Sequence, residues 1–178
     1  RRNEMGCMVD ILGVGVLIRG ESGIGKSEAV LALIERGYSL VADDITKVTL
    51  IDNQHVVGTS YETTRNLMEI RGIGIIDVAA MFGVRSVTRE KQINLVVTLV
   101  HWDKAQTIDR LGLDEETTDI LGVHIPHIVI PVRPGRDMGR LIEVAAFQTK
   151  LKMSGIHSAQ ALSERLMEKM TRDRDSHA

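Results

Sequence analysis

Apolar positions near the start of the chain fall into two short runs, residues 7–12 and residues 14–18, on either side of Gly13. Runs of this length around a glycine predict two β-strands joined by a turn. A glycine-rich segment follows, and beyond it apolar residues recur at helical spacing from about Lys26 to Arg36. The pattern therefore predicts two strands, a glycine-rich turn and a helix.

The rest of the chain continues to alternate between strands and helices. Further strands are predicted at residues 40–42, 93–100 and 125–132, and a hairpin at residues 48–61 with its turn at Asp52 and Asn53. Helices are predicted from Met138 to about Met153, with Asp137 as the N-cap, and over residues 159–170. This order favours one α/β domain over residues 1–170, in which helices flank a mixed β-sheet.

Two segments are expected to stay outside these elements. Residues 114–119 are polar and acidic, which predicts a surface loop or a short helix. Residues 171–178 are highly charged and predict a flexible tail. The methionines at positions 5, 8, 68, 81, 138 and 153 are expected to fill the core, because the chain has few aromatic side chains.

Composition excludes several classes of function. The net charge is -2 and aromatic residues make up 3%, whereas nucleic-acid binding uses a clustered basic surface and stacking aromatic side chains. A single cysteine, Cys7, excludes an internal disulfide. No apolar run reaches about 18 residues, so the sequence predicts no membrane span. We therefore expect a cytoplasmic protein that binds neither nucleic acid nor membrane.

The glycine-rich segment matches the phosphate-binding pattern G-x-x-x-x-G-K-[ST]. Its residues are Gly20, Glu21, Ser22, Gly23, Ile24, Gly25, Lys26 and Ser27. Backbone N–H groups in such a loop, at the N-terminus of a helix, bind phosphate oxygens. Lys26 is expected to bridge the β- and γ-phosphates, and the Ser27 hydroxyl to bind Mg²⁺. The alternative is a glycine turn that only caps the helix, but the position between a strand and a helix favours a nucleotide site.

Asp43 and Asp44 follow the predicted strand that comes after the P-loop helix. In a parallel sheet, that end of the strand faces the same crevice as the P-loop. Adjacent strand residues point to opposite faces, so the two carboxylates are expected to have different roles. One orients a metal-bound water or Lys26, and the other accepts a proton from an attacking hydroxyl. The alternative is a pair of solvated carboxylates in a turn.

Other charged residues are weaker candidates for the same site. Glu69 is a candidate metal ligand and Arg71 a candidate clamp for phosphate or carboxylate, although spacing alone slightly favours a salt-bridged helix end. Arg110, in a predicted loop, is a candidate for neutralising charge on a transferring phosphoryl group. The commoner explanation of such a residue is an ordinary surface arginine.

Two further groups of residues, three arginines and two histidines, have spacings that raise the question of an anion site and a metal site. Arg133, Arg136 and Arg140 surround the start of a predicted helix, which suggests an anion pocket or a docking site for an acidic partner, or else an ordinary basic face. His124 and His127 are three residues apart on a predicted strand, so they point to opposite faces. The sequence therefore argues against a metal bound by the two histidines.

Five segments together resemble the C-terminal catalytic domain of HPr kinase/phosphorylase. They are VDILGVGVLIRGESGIGKS (9–27), GYSLVADD (37–44), MEIRGIGIID (68–77), DRLGL (109–113) and IPVRPGRDMGRLIEVAA (130–146). The resemblance covers the chain from about Gly6 to Met170. It implies a P-loop fold related to the nucleotide core of phosphoenolpyruvate carboxykinase, a homohexamer, and a family N-terminal domain that this sequence lacks.

The resemblance also implies a bifunctional enzyme that acts on HPr, the phosphocarrier of the sugar phosphotransferase system. As a kinase, the family phosphorylates a serine of HPr with ATP or pyrophosphate and Mg²⁺. As a phosphorylase, it uses inorganic phosphate to remove that phosphate as pyrophosphate. The implied roles are phosphate binding by Lys26, Mg²⁺ binding by Ser27 and Glu69, proton transfer by Asp44 and charge neutralisation by Arg110.

Two longer segments carry implied roles as well. Residues 68–77 would serve both reactions. The segment that would serve phosphorolysis in particular consists of Pro131, Val132, Arg133, Pro134, Gly135 and Arg136.

Met5 departs from the family pattern, which usually has histidine directly before the glycine that matches Gly6. Methionine neither titrates nor donates a strong hydrogen bond, so one of the two activities is in doubt, unless the residues ahead of Gly6 are not native. Two other functions therefore stay open: a P-loop kinase for a small metabolite, including the phosphoenolpyruvate carboxykinase type, and a regulatory nucleotide-binding module without turnover.

Overall fold

The structure is a computed structural model that describes residues 2–103, 116–155 and 158–176. Its strands are β1 (Arg2–Met5), β2 (Cys7–Ile11), β3 (Val14–Gly20), β4 (Ser39–Ala42), β5 (Ile45–Ile51), β6 (His55–Thr59), β7 (Leu67–Ile70), β8 (Gly74–Asp77), β9 (Glu90–His101), β10 (Thr117–Ile120) and β11 (Val123–Val132). Its α-helices are α1 (Lys26–Glu35), α2 (Val78–Phe82), α3 (Met138–Met153) and α4 (Ser158–Ser176). Short 3₁₀ turns cover residues 62–64 and 84–86.

Nine of the described strands form one mixed sheet, and β7 and β8 form a separate hairpin. The main order is β1-β5-β6-β9-β3-β2-β4, and β11 pairs with β9 and β10. β3, β9 and β11 are parallel. β2 is antiparallel to both β3 and β4, so β4 runs in the same direction as β3. The carboxyl ends of β4, β3, β9 and β11 therefore meet at one edge, which we call the carboxyl edge.

Two hairpins follow from turn residues that the sequence makes visible. Leu12 and Gly13 have φ of 49° and 89° between β2 and β3, and Asp52 and Asn53 have φ of 53° and 55° between β5 and β6. Two residues with positive φ fit the right-handed twist of a two-residue hairpin. The hairpin predicted at residues 48–61 is confirmed, and the two strands predicted around Gly13 pair as a second hairpin.

The core has two parts, one on each face of the sheet. On β3, Val16 and Ile18 face one cluster, which α1 and α3 cover, while Leu17 faces the other. On β9, Leu95 and Val97 lie in the first cluster and Val96 lies in the second. Both faces of β9 are therefore buried, as the nearly continuous apolar run predicts, and helices flank a mixed sheet.

Three details of the sequence prediction are wrong. Residues 117–120, predicted as loop or helix, form β10, because two β-branched threonines and Ile120 pair with the start of β11. α4 continues to Ser176 instead of ending at Met170, since no glycine or proline interrupts it. Met5, Met81 and Met153 are exposed instead of filling the core, because they lie on an edge strand or near the ends of helices.

The two histidines on β11 lie on opposite faces, as their spacing predicts. His124 is exposed, whereas His127 is buried and its Nε2 lies 2.8 Å from the Thr98 hydroxyl. Among the described helices, none combines the length and the apolar character that crossing a membrane requires.

Candidate active site

The P-loop lies at the carboxyl edge, between Gly20 at the end of β3 and Lys26 at the start of α1. Gly23 and Gly25 have φ of 84° and 111°, a conformation that costs glycine little. The first N–H groups of α1 have no partner within the helix and face the loop. Lys26 Nζ donates to the carbonyl oxygens of Gly20 at 2.5 Å and Glu21 at 3.1 Å. The ammonium therefore lies within the loop, as phosphate binding requires.

A polar cavity of about 340 Å³ lies over the P-loop. Most of its lining residues were predicted to belong to the site. They are Ser22, Gly23, Gly25, Lys26, Ser27, Glu28, Asp43, Asp44, Glu69 and Arg71. The structure therefore brings together the glycine loop, the aspartate pair and the Glu69–Arg71 segment, which the sequence spreads over residues 20–71.

Asp43 accepts hydrogen bonds from three separate parts of the chain. Its Oδ1 accepts from Ser27 Oγ at 3.0 Å and from Cys7 Sγ at 3.3 Å. Its Oδ2 accepts from the backbone N–H of Glu69 at 3.0 Å. This carboxylate therefore joins the P-loop helix, the start of β2 and the β7–β8 hairpin.

Cys7 is a site residue that the sequence did not indicate. It begins β2 at the carboxyl edge, it is buried, and its sulfur also accepts from the Asp44 N–H at 3.5 Å. Burial, and then the charge of Asp43, raise the pKa of the Cys7 thiol to about 12. Cys7 therefore stays protonated and donates to Asp43. Only the position of β2 between β3 and β4 reveals this role.

Asp44 differs from its neighbour in conformation and in contacts. Its φ is 64°, which is uncommon for a non-glycine residue and better tolerated by aspartate than by most others. The residue is exposed and lines the cavity. Within the described residues, no hydrogen bond or ion pair engages its carboxylate. Asp43 is thus held by the protein, whereas Asp44 is open to an incoming group; the roles of the two carboxylates stay predictions.

The β7–β8 hairpin places Glu69 and Arg71 at the cavity rim. Both residues are exposed, and an added Cβ on Gly23 would lie 3.4 Å from Arg71 Nη2, so this guanidinium lies against the P-loop. An arginine in that place is suited to clamping a phosphate oxygen. The alternative explanation, a salt-bridged helix end, does not hold, because Glu69 lies in β7 and Arg71 begins the turn that leads to β8.

The donor atoms in the cavity fit Mg²⁺ that arrives with a nucleotide. The Ser27 hydroxyl and the Glu69 carboxylate line one cavity with Asp43. No cluster of three or more histidine, cysteine or acidic side chains arranged for a metal occurs in the described part of the chain. Mg²⁺ in nucleotide sites takes one or two carboxylates and completes its shell with phosphate and water, so a closed cluster is not needed.

Other predicted residues lie apart from this cavity or outside the described residues. No residue of 131–136 lines it. The guanidinium of Arg133 lies 5.7 Å from the ring centroid of Trp102, and Arg136 donates to the carbonyl oxygen of Pro131 at 3.3 Å. Arg140 donates to Glu143 at 2.5 Å. The three arginines therefore do not converge on one point. Arg110 lies outside the described residues.

A comparison with protein families decides which family has this combination of P-loop, aspartate pair and hairpin. Residues 1–166 match the model of the HPr serine kinase C-terminal domain. The chain belongs to this family. The resemblance carried by the five sequence segments is thereby confirmed.

Individual relatives agree with the family match. HPr kinase/phosphorylase of Geobacter sulfurreducens is 51% identical over 165 residues, which are 93% of this chain and 52% of that protein. HPr kinase/phosphorylase 1 of Oceanobacillus iheyensis is 48% identical over 161 residues, which are 90% and 52% of the two chains. The structure of the Hpr(Ser) kinase/phosphatase from Coxiella burnetii matches with a TM-score of 0.79 and 37% identity, over 87% of this chain and 94% of that one.

Membership of the HPr serine kinase C-terminal domain family confirms the predicted fold, and the named relatives make a phosphotransferase the expected class of enzyme. The chain spans about half the length of the curated relatives it matches, 52% in the two cases above.

Proposed function

We propose that this chain is the catalytic part of a bifunctional protein-serine kinase and phosphorylase that acts on HPr. The observation that carries the proposal is the cavity shared by the P-loop ammonium of Lys26 and the open carboxylate of Asp44. A phosphate donor and a hydroxyl acceptor need these two groups on facing sides of one space. HPr is proposed as the acceptor because the relatives are named HPr kinase/phosphorylase.

In the kinase direction, the P-loop amides and Lys26 hold the phosphates of ATP or of pyrophosphate. Ser27 and Glu69 would hold Mg²⁺ together with those phosphates, and the ion would neutralise charge on the phosphoryl group in transfer. Arg71 lies close enough to the loop to bind a phosphate oxygen as well. Asp44 accepts the proton of the attacking serine hydroxyl.

In the phosphorylase direction, inorganic phosphate occupies the position of the β-phosphate and attacks the phosphoserine. Asp44 then returns the proton to the serine oxygen, as microscopic reversibility requires. Arg110 and the segment 131–136 remain proposed sources of positive charge for this second reaction, since phosphate and phosphoserine are both anions and repel each other. The donor site is therefore common to both reactions.

The acceptor is proposed to be a protein because Asp44 is exposed at a surface-accessible cavity instead of lying in a closed pocket. A small-metabolite kinase would enclose its acceptor to exclude water. We also propose that the enzyme works in the cytoplasm as a homohexamer, without nucleic acid or membrane as partner.

A labelled-phosphate assay tests the proposal in both directions. The chain is incubated with ATP, Mg²⁺ and HPr, and then with phospho-HPr and inorganic phosphate; we expect labelled HPr in the first case and pyrophosphate in the second. Lys26→Ala should abolish both reactions. Asp44→Ala should remove both but leave ATP binding, whereas Glu35→Gln, at the exposed end of α1, should change neither. Transfer that survives in Asp44→Ala would refute the proton-transfer role.

Met5 favours one second candidate, a nucleotide-binding regulatory module with weakened turnover. Met5 pairs with Ile45, directly after Asp44, and 65% of it is exposed, so a histidine there would lie beside the proposed proton acceptor. This candidate predicts ATP binding without product in the wild type and in Asp44→Asn alike. Activity that rises in Met5→His but not in Met5→Leu would show that the methionine limits turnover.

A further inference from the structure

Three parallel strands end side by side at the carboxyl edge, and each is followed by a distinct chemical group. The register pairs Gly20 with Leu99 and His101 with Val132, so β3, β9 and β11 end at nearly the same level. The P-loop follows β3, the indole of Trp102 follows β9, and the guanidinium of Arg133 follows β11. From β3 to β11 the distance is two strand spacings, roughly 10 Å.

The order of the strands also fixes the direction in which a bound nucleotide lies. Along the carboxyl edge the order is β4, β2, β3, β9, β11. Ser27 and Asp43, in contact at 3.0 Å, mark the β4 side of the P-loop, and Asp44 follows there. The phosphoryl group in transfer must face that side. Ribose and base must therefore extend from the P-loop in the opposite direction, over the ends of β9 and β11.

Trp102 and Arg133 present a surface suited to a nucleobase at this place. Arg133 lies 5.7 Å from the indole centroid, within the range of a cation–π contact that holds the ring. Trp102 is nevertheless 53% exposed. The P-loop approaches the end of β9, since Glu21 Oε2 lies 3.9 Å from His101 Nε2. Exposed aromatic rings and arginine planes are the surfaces on which bases stack.

We propose that Trp102 and Arg133 form a stacking platform for the base of the nucleoside triphosphate donor. The inference rests on the proposed function in two respects, the nucleotide as donor and the acceptor side of the cavity at Asp44. It also gives Arg133 a role that differs from that of the phosphorolysis segment. A stacking platform acts only on a donor that carries a base, whereas an anion site acts on inorganic phosphate.

Pyrophosphate is the internal control for this test, because it binds to the P-loop but has no base. The affinities of ATP and of pyrophosphate are measured by calorimetry, with Mg²⁺ and without any acceptor. Trp102→Ala should weaken ATP binding by about 5- to 150-fold, the range that loss of one base–aromatic stack gives. Pyrophosphate binding should change by less than about twofold. Phe82→Ala, an exposed aromatic residue on α2 away from the carboxyl edge, should leave both affinities unchanged.

Two further variants separate stacking from charge and from misfolding. Trp102→Phe keeps an aromatic face and should bind ATP within about threefold of the wild type. Arg133→Ala should also weaken ATP more than pyrophosphate. The proposal is overturned if Trp102→Ala and Arg133→Ala lower both affinities equally or lower neither. Binding is measured without HPr, so absence of phosphotransfer would refute the proposed function and leave this result untouched.

Discussion

At the scale of single residues, Asp43 and Asp44 are neighbours in sequence with opposite surroundings. Asp43 accepts from Ser27, Cys7 and the Glu69 N–H, whereas the Asp44 carboxylate faces the cavity. Both residues follow the end of β4, and the positive φ of Asp44 takes the chain out of the extended conformation at that point. Asp43 is thereby held by the protein, whereas Asp44, the proposed proton acceptor, is left open to the cavity.

This division predicts different costs for two similar substitutions. Asp43→Ala leaves three donors without their acceptor and should lower the free energy of unfolding by about 2–4 kcal/mol. Asp44→Ala removes no hydrogen bond and should cost no more than about 1 kcal/mol, from the alanine at positive φ. Urea denaturation measures both. Asp43→Asn, which keeps an acceptor oxygen, is the control, and its free energy of unfolding should lie between those of the two alanine variants. Equal denaturation midpoints for the two alanine variants would contradict the different roles of Asp43 and Asp44.

Glu143 supplies a prediction about pH. It is buried on α3, accepts from Tyr38 Oη at 2.6 Å and from Arg140 at 2.5 Å, and lies 3.7 Å from Arg36. The hydrogen bond from Tyr38, then that from Arg140, lower the pKa of Glu143 below its usual range. The unfolded chain therefore takes up this proton at a higher pH than the folded chain does.

The stability that ionised Glu143 contributes should be complete above its unfolded pKa, about 4.3, and lost as the pH falls through the lower folded value. We expect Glu143→Gln to be less stable than the wild type at pH 7 and to lose less stability between pH 5 and pH 3. Thermal unfolding across this range is the measurement. Glu168→Gln, on exposed α4, should show the same pH dependence of stability as the wild type. The same pH dependence in all three proteins would refute the contribution of Glu143.

At the scale of elements, sequence pattern succeeds where the cause of a structure is local. The β2–β3 and β5–β6 hairpins were predictable because Gly13 and Asp52-Asn53 are suited to positive φ. The P-loop and α1 were predictable for the same kind of reason. β1 and β10 were missed because short polar strands take their structure from the partner strand, β5 or β11, and not from their own residues.

Gly15 shows how closely two of these elements approach. On β3, at the point where pairing with β9 shifts its register, an added Cβ would lie 1.9 Å from the carbonyl oxygen of Gln92. That oxygen belongs to the backbone of β9, so relief requires the strands to separate. Gly13 lies two residues earlier, has φ of 89°, and has nothing within 4 Å of an added Cβ.

Gly15→Ala should therefore lower the free energy of unfolding by about 3 kcal/mol or more, at or beyond the upper end of the cost of overpacking. Gly13→Ala should cost about 1 kcal/mol, since only its backbone conformation is strained. The urea denaturation midpoints of the two purified variants measure this difference in stability. A Gly15→Ala protein as stable as Gly13→Ala would mean that β3 and β9 are not packed as closely as described.

At the scale of the whole molecule, the candidate site depends on which strand ends share an edge. The P-loop and the aspartate pair could be assigned from sequence because a motif marks one and the next parallel strand carries the other. Cys7 and Trp102 could not, and Arg133 was predicted as part of an anion site instead of the proposed platform, because the positions of these residues follow from the order of strands that are distant in the sequence. The predicted anion cluster did not form for the same reason: Arg140 lies on α3 beside Glu143, away from Arg133.

The proposed hexamer requires a surface that another copy of the chain covers, and α4 has an exposed apolar face. Leu162, Leu166 and Met170 recur every fourth residue and so lie on one face of the helix, and each is more than half exposed. An apolar face of this kind is costly in water unless another surface covers it. We expect a second copy of the chain to cover it in the assembly.

Leu166→Glu should therefore lower the molar mass measured by light scattering from that of six copies towards that of smaller species. Arg172→Glu, about 120° around α4 from Leu166, also adds negative charge and should leave the mass unchanged. ATP binding should survive in both variants, because the P-loop lies on α1 and β3 and not on α4. A wild-type chain that is monomeric at micromolar concentration, or a Leu166→Glu hexamer, would exclude α4 as the covered face.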